Sequence, residues 1–455
     1  MNVRRSLRLS LCPIFIASAI LAACGGDGHP SDADRWTGTV DTAANGRVTV
    51  TNTGGGAWRR DTVEARRTLL LGEAGVTGGS EETTFGEIIG LAVDREGRIF
   101  VGDRIGSTVR AYSPDGSHLG LVGGEGEGPG EFRWPEALVF GPEGRLFVAE
   151  IGGVTVMASP APTGIPTEQV RSWQPVSRPQ TYRPLRVTCG GRVYYPHQVN
   201  RPMRHFYLRI GSDGTVSDTV RVPEMSGTPS NVPWYRTGSG GGRMLGGVDH
   251  PPLAPVPSWD VTPEGRLLLG ESSRYRLFLV APGGDTVRTV RRRVERRAIP
   301  TEVRRESTEA LRSRLDTLPV PVDDVNNLPD PVANLDLPSR YPAHLDVRVG
   351  QSGRVWVARP PLPDRPRAAP FDVFDRRGVF LGTVVVPGRF DMGRGFTNAR
   401  SRPRPVFTDD AVYGVVTDST TGVQRVARFS YELPEREDGA PGSPETGCSG
   451  RGLDL

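Results

Sequence analysis

The sequence predicts an all-β protein, a six-bladed β-propeller of four-stranded antiparallel blades with one helical insertion between blades four and five. Its 58 glycines and 41 prolines in 455 residues favour frequent turns over long helices. At 36% hydrophobic residues, the chain can nevertheless bury a large core. A short motif, two apolar runs hinged by a glycine turn, recurs six times, as repeat β folds require.

The clearest copy lies within Gly120–Glu150. Its first part, Gly123–Gly130, is too rich in glycine for a regular helix or strand. Two short β-type runs within 137–148 follow it, joined by a Pro/Gly turn that predicts a hairpin. A phosphate cradle would need a helix after the glycines, but a strand follows. We therefore expect a crossing between neighbouring blades, with Phe132 and Trp134 wedged between them.

The other copies align on the residue that makes this turn. The anchors are spaced by 47, 47, 74, 88 and 57 residues, and the last copy has an acid in the glycine position: Gly97, Gly144, Gly191, Gly265, Gly353 and Asp410. Further apolar pairs with their own turns follow four of the copies, at Gly116, Gly214, Gly283-Gly284 and Gly378. The spacing and the paired hairpins predict six blades of four strands.

Two strand-like segments precede the first copy. Gly46–Asn52 alternates like a single strand and has no hairpin partner close by, and Leu69–Gly72 is a second lone strand. We expect both to be edge strands that complete the last blade and close the ring.

These motifs resemble the NHL-repeat class of six-bladed propellers, and more closely its bacterial lipoprotein branch, known as the 6-bladed β-propeller family. The resemblance rests on 126–132 before Pro135, and on the Gly-Arg-apolar runs at 97–103 and 144–150. It extends over roughly 40–431, and it implies the fold more than any function. Enzymes of this architecture include the amidating lyase, which holds zinc with three histidines, and calcium-dependent lactonases.

The N-terminus predicts export. Three arginines precede the apolar run Leu9–Leu21, which is short for a membrane span. The run ends in Leu21-Ala22-Ala23-Cys24-Gly25, which resembles a bacterial lipobox with Cys24 as the lipidated residue. The residue after Cys24 is Gly25 rather than Asp, which resembles the pattern of lipoproteins that are released to the outer membrane. We expect an exported protein of the cell envelope, an outer-membrane lipoprotein facing the periplasm or the surface.

Five segments follow from this interpretation: a signal peptide (1–23), a tether (24–39), the propeller (40–435), a helical insertion within it (about 300–318) and a flexible C-terminal tail (436–455). Loss of the three arginines in 1–23 lowers the net charge from +4 to +1. This balance gives no electrostatic case for nucleic acid. Cys189 and Cys448 remain besides Cys24, and the sequence leaves open whether they pair or stay separate thiols.

The helical insertion begins at Pro300-Thr301-Glu302, which supplies N-cap chemistry, and its apolar positions include Val303 and Leu311. We expect it to pack as a lid or a side buttress. Just before it lie Arg291–Arg293 and Arg296-Arg297. This basic run is consistent with a solvated blade edge and with a patch for anions or acidic glycans.

Propellers usually bind ligands at the mouth of the central channel, where the innermost strands begin. Counting back from the anchors gives polar candidates, with Trp134 as a wall: Glu87, Glu136, Arg183, His344 and Asp346. Such a set suits a polar or zwitterionic ligand or a metal, and equally a group of water-bridged channel residues.

A second ring lies six residues after each of five anchors: Asp103, Glu150, His197, Glu271 and Arg359. Carboxylates at these positions are expected to accept N–H groups of the adjoining loop and lock the blade edge.

No catalytic motif is present, since the chain lacks GxSxG, HExxH, a P-loop and an EF-hand loop. A three-histidine zinc site from His197, His250 and His344 is geometrically feasible, although no two of them have ligand spacing on one element. The sequence therefore predicts a membrane-anchored scaffold that binds a protein, peptide or glycan, with no catalytic residue and no cofactor. The alternatives are a metal-dependent hydrolase or lyase at the channel mouth, and a purely structural component of an envelope complex.

Overall fold

The structure is a computed structural model. It describes residues 36–72, 82–150, 153–158, 164–174, 185–200, 203–224, 232–237, 243–249, 252–316, 335, 337–388, 403–418 and 420–436. The predicted signal peptide, most of the predicted tether with Cys24, nearly all of the predicted C-terminal tail with Cys448, and also Arg183 and His250 lie outside these residues. The fold that follows is that of the described segments.

The strands form six blades arranged in a ring. An N-terminal segment contributes β1 (Gly38–Thr42), β2 (Val48–Asn52), β3 (Thr62–Glu64) and β4 (Arg66–Leu71). Blade one contains β5 (Ile88–Val93), β6 (Ile99–Asp103), β7 (Thr108–Tyr112) and β8 (His118–Gly123). Blade two contains β9 (Pro135–Phe140), β10 (Leu146–Glu150), β11 (Gly153–Met157) and β12 (Gln169–Trp173).

The remaining blades follow in chain order. Blade three contains β13 (Arg186–Val187), β14 (Val193–Asn200), β15 (Met203–Ile210) and β16 (Val216–Arg221). A separate hairpin of β17 (Val232–Thr237) and β18 (Arg243–Asp249) precedes blade four, which contains β19 (Ser258–Val261), β20 (Leu267–Glu271), β21 (Arg276–Val280) and β22 (Thr286–Arg292).

One helix, α1 (Thr301–Asp316), separates blade four from blade five. Blade five contains β23 (Asp346–Val349), β24 (Val355–Ala358), β25 (Ala369–Phe374) and β26 (Phe380–Val386). Blade six contains β27 (Val406–Phe407), β28 (Ala411–Thr417) and β29 (Gln424–Ser430), and β4 completes it. The six-bladed, four-stranded prediction is confirmed, and the helix lies where the sequence placed it. The hairpin β17–β18 was not predicted.

The anchor glycines explain why the repeat was visible. Each makes the turn between the first two strands of its blade, and all five have positive φ angles, between 73° and 82°: Gly97, Gly144, Gly191, Gly265 and Gly353. Side chains with a Cβ rarely adopt this conformation, so the turn selects glycine. The expected crossing before blade two is also present, and Phe132 is fully buried between blades one and two.

The N-terminal strands do more than close the ring. As predicted, β4 completes blade six, where it pairs antiparallel with β29. The prediction for Gly46–Asn52 is wrong in two respects. This strand, β2, has a hairpin partner in β1, and it adds in parallel to the outer strand of blade four rather than to blade six. Between them, β3 adds in parallel to blade five. The segment 36–71 is thus a strap along the outer edges of three consecutive blades.

Asn52 joins the strap to the ring. Its side chain is 1% exposed, and its Nδ2 donates to the carbonyl oxygens of Arg291 at 3.1 Å and of Gly378 at 3.0 Å. Its Oδ1 accepts from the Phe380 N–H at 2.8 Å and from the Trp36 indole at 2.8 Å. One amide therefore connects the outer strand of blade four with the last hairpin of blade five. It satisfies main-chain groups that local structure leaves unpaired.

Candidate functional site

A large cavity lies on the axis of the ring and measures about 1060 Å³. All six blades contribute to its lining. Its wall includes Leu138, Val187 and Val261 as apolar residues, together with the polar groups Glu136 and Arg186. The lining is mixed, because these apolar residues occur beside several further charged side chains, among them Asp94, Arg98 and Arg404. Apolar surface combined with polar groups that fix orientation is the usual construction of a small-molecule site.

The lining indicates which end of the channel this cavity occupies. It includes the turn after the first strand in blades one, two, four, five and six. In contrast, Ile88, Pro135, Ser258 and Asp346, where four of the inner strands begin, do not line it. In blades four and five the cavity is therefore confined to the turn end of the inner strand. In blades one and two the lining begins at Ile89 and Glu136, one residue after the strand starts, so there the cavity extends along the whole inner strand toward the end that the sequence indicated.

A buried ion pair is built into the wall. The Arg186 guanidinium on β13 donates to the Asp260 carboxylate on β19 through Nε at 2.8 Å and Nη2 at 2.6 Å. Asp260 also accepts the Val261 N–H at 2.8 Å and the Val349 N–H at 2.9 Å. Burial opposes the charged form of Asp260, but the pairing outweighs burial and keeps the pKa of Asp260 below its usual value. The pair links blades three, four and five.

Arg186 is the more accessible partner. Its side chain is 28% exposed and lines the cavity, whereas the side chain of Asp260 is 0% exposed. Nε and Nη2 face Asp260, so Nη1 is the amino group that this carboxylate does not engage. The geometry suits an incoming carboxylate or carbonyl oxygen.

Glu136 brings a negative charge to the same cavity. It lies on β9 in blade two, next to blade three, and its side chain is half-buried. Burial, followed by the Glu136 carboxylate, raises the pKa of Tyr195 on β14 well above its usual value. Glu136 therefore lies near the blade-three wall, and the cavity presents both a negatively charged and a positively charged side chain.

Two contacts hold the turn end of the channel together. The Gln351 side-chain amide, from the first turn of blade five, donates to the Val93 carbonyl of blade one at 2.6 Å. Asp94 accepts the Arg98 Nε–H at 2.6 Å within the first turn of blade one, and both side chains are buried. Burial raises the pKa of Asp94 above its usual value although Arg98 opposes the shift. The rim of the cavity is thus fixed by one hydrogen bond between blades and one within a turn.

The predicted channel-mouth residues divide into separate groups. Glu136 lines the cavity, as described above. Glu87 instead pairs with Arg104, whose Nε donates to it at 2.8 Å, and Arg104 lies 5.7 Å from the centre of the Trp134 ring. Trp134 is 49% exposed with a φ of 54°, so it is not wedged between blades as expected. These three residues form a cluster at the end where the inner strands begin, with Glu87 buried and Trp134 exposed.

Two further candidates are buried in the wall between blades four and five. The His344 ring is 0% exposed and packs edge-on against Tyr275 at 5.4 Å between ring centres. Asp346 accepts from Arg348 Nη1 at 2.8 Å and from the Val347 N–H at 2.9 Å. Neither residue lines the cavity. Arg183 lies outside the described residues, so the structure brings only Glu136 of this set to the cavity.

The structure gives no support to a metal site within the described residues, where no group of three or more His, Cys, Asp or Glu side chains has a metal-binding arrangement. His197 is half-buried on β14 beside Phe206, and His344 is buried as described, whereas His250 lies outside the described residues. In the same part of the chain, no helix has the length and apolar character needed to cross a membrane.

The second ring acts as expected in two blades. Asp103 accepts the N–H groups of Gly86 at 2.8 Å and Glu87 at 2.9 Å, in the crossing that enters blade one. Glu150 accepts the Arg133 N–H at 2.6 Å, in the crossing that enters blade two. Each carboxylate therefore fixes the start of its own blade.

Sequence reasoning missed the Arg186–Asp260 pair because its members are 74 residues apart and belong to no motif. One signal was available. Asp260 interrupts the apolar inner strand β19, all of whose residues are buried. A charged residue within a buried strand requires a partner, but its identity depends on the curvature of the ring.

Comparison with known proteins gives structural similarity alone. No family model matches the chain, and no curated protein matches it. Among solved structures, the virginiamycin B lyase from Staphylococcus aureus has 10% identity and a TM-score of 0.36, with 76% of this chain and 94% of that chain covered. A gluconolactonase from Xanthomonas campestris has 12% identity and a TM-score of 0.33, with coverage of 77% and 87%.

A member of the duf4221 family from Bacteroides vulgatus has 11% identity and a TM-score of 0.40, and the match covers 81% of this chain and 98% of that chain. At these values the matches carry no argument about activity. The six-bladed fold rests on the strand pairing itself.

Proposed function

We propose that this chain is an exported, lipid-anchored binding protein of the cell envelope, and that its ligand occupies the central cavity. The observation that carries the proposal is the cavity of about 1060 Å³, whose lining combines apolar residues with charged side chains that include Arg186 and Glu136. This volume lies just above the range typical of small-molecule sites, about 300–1,000 Å³.

The charges indicate the chemical class of the ligand. Arg186 can receive a carboxylate, and Glu136 can receive an ammonium group, from neighbouring blades of one cavity. A small zwitterion, such as an amino acid or a short peptide, satisfies both groups at once. A purely anionic ligand would leave Glu136 opposed to it, and a purely cationic ligand would meet Arg186.

The test is isothermal titration of the purified protein with a panel of free amino acids and dipeptides. A saturable 1:1 binding isotherm is expected for at least one zwitterion. The substitution Glu136→Gln keeps the shape of the side chain but removes the charge, and it is expected to weaken binding about 10- to 100-fold, since hydrogen bonds to charged groups contribute roughly 1.5–3 kcal/mol.

Glu127→Gln is the matched control. Glu127 lies in the crossing before blade two, its side chain is 76% exposed, and it pairs with Arg133 on the surface. The affinity of the Glu127→Gln protein for the zwitterion should equal that of the wild type. Absence of saturable binding across the panel would refute the zwitterion proposal, and equal affinity of Glu136→Gln and wild type would place the site elsewhere.

The anchor is tested separately. Lipidation at Cys24 predicts that the wild-type protein sediments with membranes, and that Cys24→Ala releases it to the soluble fraction. A wild-type protein found wholly in the soluble fraction would refute the anchor. This outcome would leave the cavity proposal intact, because the two experiments have independent readouts.

A further inference from the structure

A second, smaller cavity lies on the side of the ring, between blades four and five. It measures about 260 Å³, and Thr62 of the strap contributes to its wall. Its base is formed by Arg359, which follows β24, and by Asp372 and Thr383, on β25 and β26. Because β24 ends where β23 begins, this lateral pocket lies toward the opposite end of the blade from the central cavity.

The base of the pocket carries an excess positive charge. Asp372 is 0% exposed, and two arginines pair with its carboxylate, Arg292 at 2.6 Å and Arg359 at 2.8 Å. Its other contacts are neutral, since the hydroxyl groups of Tyr275 and Thr383 donate to it at 2.7 Å and 2.9 Å. Two cations thus face one anion in a largely buried cluster, and such an imbalance is costly without a counter-charge.

Arg292 has a second source of compensation. Its guanidinium lies over the Phe380 ring, 3.4 Å from the ring centre, an arrangement that stabilises a partly desolvated cation. Arg359 is less well satisfied. It lies 5.7 Å from the centre of the Tyr275 ring, farther than Arg292 from Phe380, and its Nη1 donates to Asp372. Its Nε is buried and has no hydrogen-bond partner among the described residues, although Arg359 lines the pocket. A buried donor of this kind calls for an acceptor.

The rest of the lining has the same sign of charge. Arg296, Arg297 and Arg365 join Arg359 on the wall, whereas Glu295 and Asp372 are the acids there. Four arginines and two acids give the lining a net charge of +2. Arg365 is already paired with Glu64 on the strap, and the other two rim arginines donate to main-chain carbonyl oxygens. These carbonyls are neutral, so they leave the positive charge in place.

The repeat itself singles out this position. Arg359 is the second-ring residue of blade five, at the position where blades one, two and four carry Asp103, Glu150 and Glu271. In blades one and two the acid fixes the incoming crossing. In blade five an arginine occupies that position and faces a cavity, so the role has changed from accepting hydrogen bonds to donating them.

We propose that the lateral pocket is a binding site for a small oxyanion, a carboxylate or phosphate group, held by Arg359 with the rim arginines around it. The site is separate from the central cavity and does not depend on the function proposed for that cavity. Either a free anion or the acidic group of a sugar could supply this chemistry, and two probes distinguish them: inorganic phosphate and D-glucuronate.

The experiment compares melting temperatures of the purified protein in phosphate or glucuronate with those in chloride at equal ionic strength. A ligand that binds only the folded state raises the Tm, and a ligand concentration of about ten times Kd predicts a shift of about 1–2 °C for a protein of this size. Phosphate alone giving the shift indicates a free anion, and glucuronate alone indicates an acidic sugar. Isothermal titration should give a stoichiometry of one.

Arg359→Gln is the informative variant, because it removes the excess charge and leaves Asp372 paired with Arg292. It should fold, and its Tm should no longer depend on which anion is present. Arg365→Gln, at the exposed rim, should weaken binding by about threefold, as expected for a solvent-exposed charge. Arg305→Gln is the control, since Arg305 lies on α1 with an exposed side chain, and it should retain the full shift.

Two outcomes would overturn the proposal. The first is a wild-type protein whose Tm is the same in all three anions. The second is an Arg359→Gln protein that keeps the anion-specific shift, which would place the anion elsewhere. Should Arg359→Gln fail to fold, Arg365→Gln decides the matter, and an undiminished affinity in that variant would also refute the proposed pocket.

Discussion

Replacement of Asn52 by alanine tests whether the strap holds the ring together. The substitution removes four side-chain hydrogen bonds, to Arg291, Gly378, Phe380 and Trp36. At roughly 1 kcal/mol for each bond, and with buried main-chain groups left unpaired, the expected loss of unfolding free energy is about 3–5 kcal/mol. A typical domain has a total of only about 5–15 kcal/mol.

The assay is urea unfolding of the purified protein, followed by circular dichroism and by tryptophan fluorescence. Asn52→Ala should lower the midpoint strongly. Asn52→Asp should be similarly destabilising despite its shape, because an oxygen would then face the carbonyl oxygens of Arg291 and Gly378. The control is Asn45→Ala in the exposed turn of the β1–β2 hairpin, where one hydrogen bond to Arg47 is lost and about 0.5 kcal/mol is expected. A loss below about 1 kcal/mol for Asn52→Ala would refute the argument, since it would mean that the strap contributes little to the ring.

Three further predictions concern other parts of the ring. Burial raises the pKa of Tyr112 to about 12, so the stability that this residue contributes is complete below its ordinary pKa of about 10 and is lost as the pH rises toward 12. Between about pH 9 and 11.5 the urea midpoint of the wild type should therefore fall more steeply than that of Tyr112→Phe. Parallel slopes for the two proteins would contradict this prediction. Asp103→Ala should cost about 2–3 kcal/mol because two N–H groups of the crossing into blade one lose their acceptor, whereas Asp285→Ala in an exposed turn should cost about 0.5 kcal/mol or less in the same denaturation assay. Cys189 is in a disulfide whose partner lies outside the described residues, and we expect that partner to be Cys448. Mass spectrometry of a non-reducing digest should then detect the two linked peptides. Alkylation of Cys189 without reductant would exclude any disulfide at this residue.

The fold was predictable because its signals are local. The turn between the first two strands of a blade needs a positive φ, which glycine adopts readily. Glycine therefore recurs at this position in five copies, although neighbouring residues differ from copy to copy. Phe132 was predictable for a similar reason, since an aromatic residue at the end of a flexible crossing has a neighbouring blade to pack against. Trp134, two residues later, was not, because its outward direction follows from an unusual backbone angle.

The candidate sites were less predictable because they depend on residues that the ring brings together. Nothing near Arg186 in the sequence indicates Asp260, and nothing near Arg359 indicates that Arg292 shares its carboxylate. The strap shows the same limit. The period of β2 identified it as a strand, but a parallel pairing with blade four leaves no mark on either segment.

The path of the strap also governs the order in which the chain can reach its final structure. The strands of the strap are synthesised first, but their partners lie much later in the sequence. Asn52 bonds to Arg291 across 239 residues, and Thr68 bonds to Ser430 across 362. Contacts of such sequence separation make folding slow, and unpaired strand edges stay exposed during the delay. Because the strap is synthesised first but pairs with strands that are made much later, we expect its docking onto the ring to be a late step of folding.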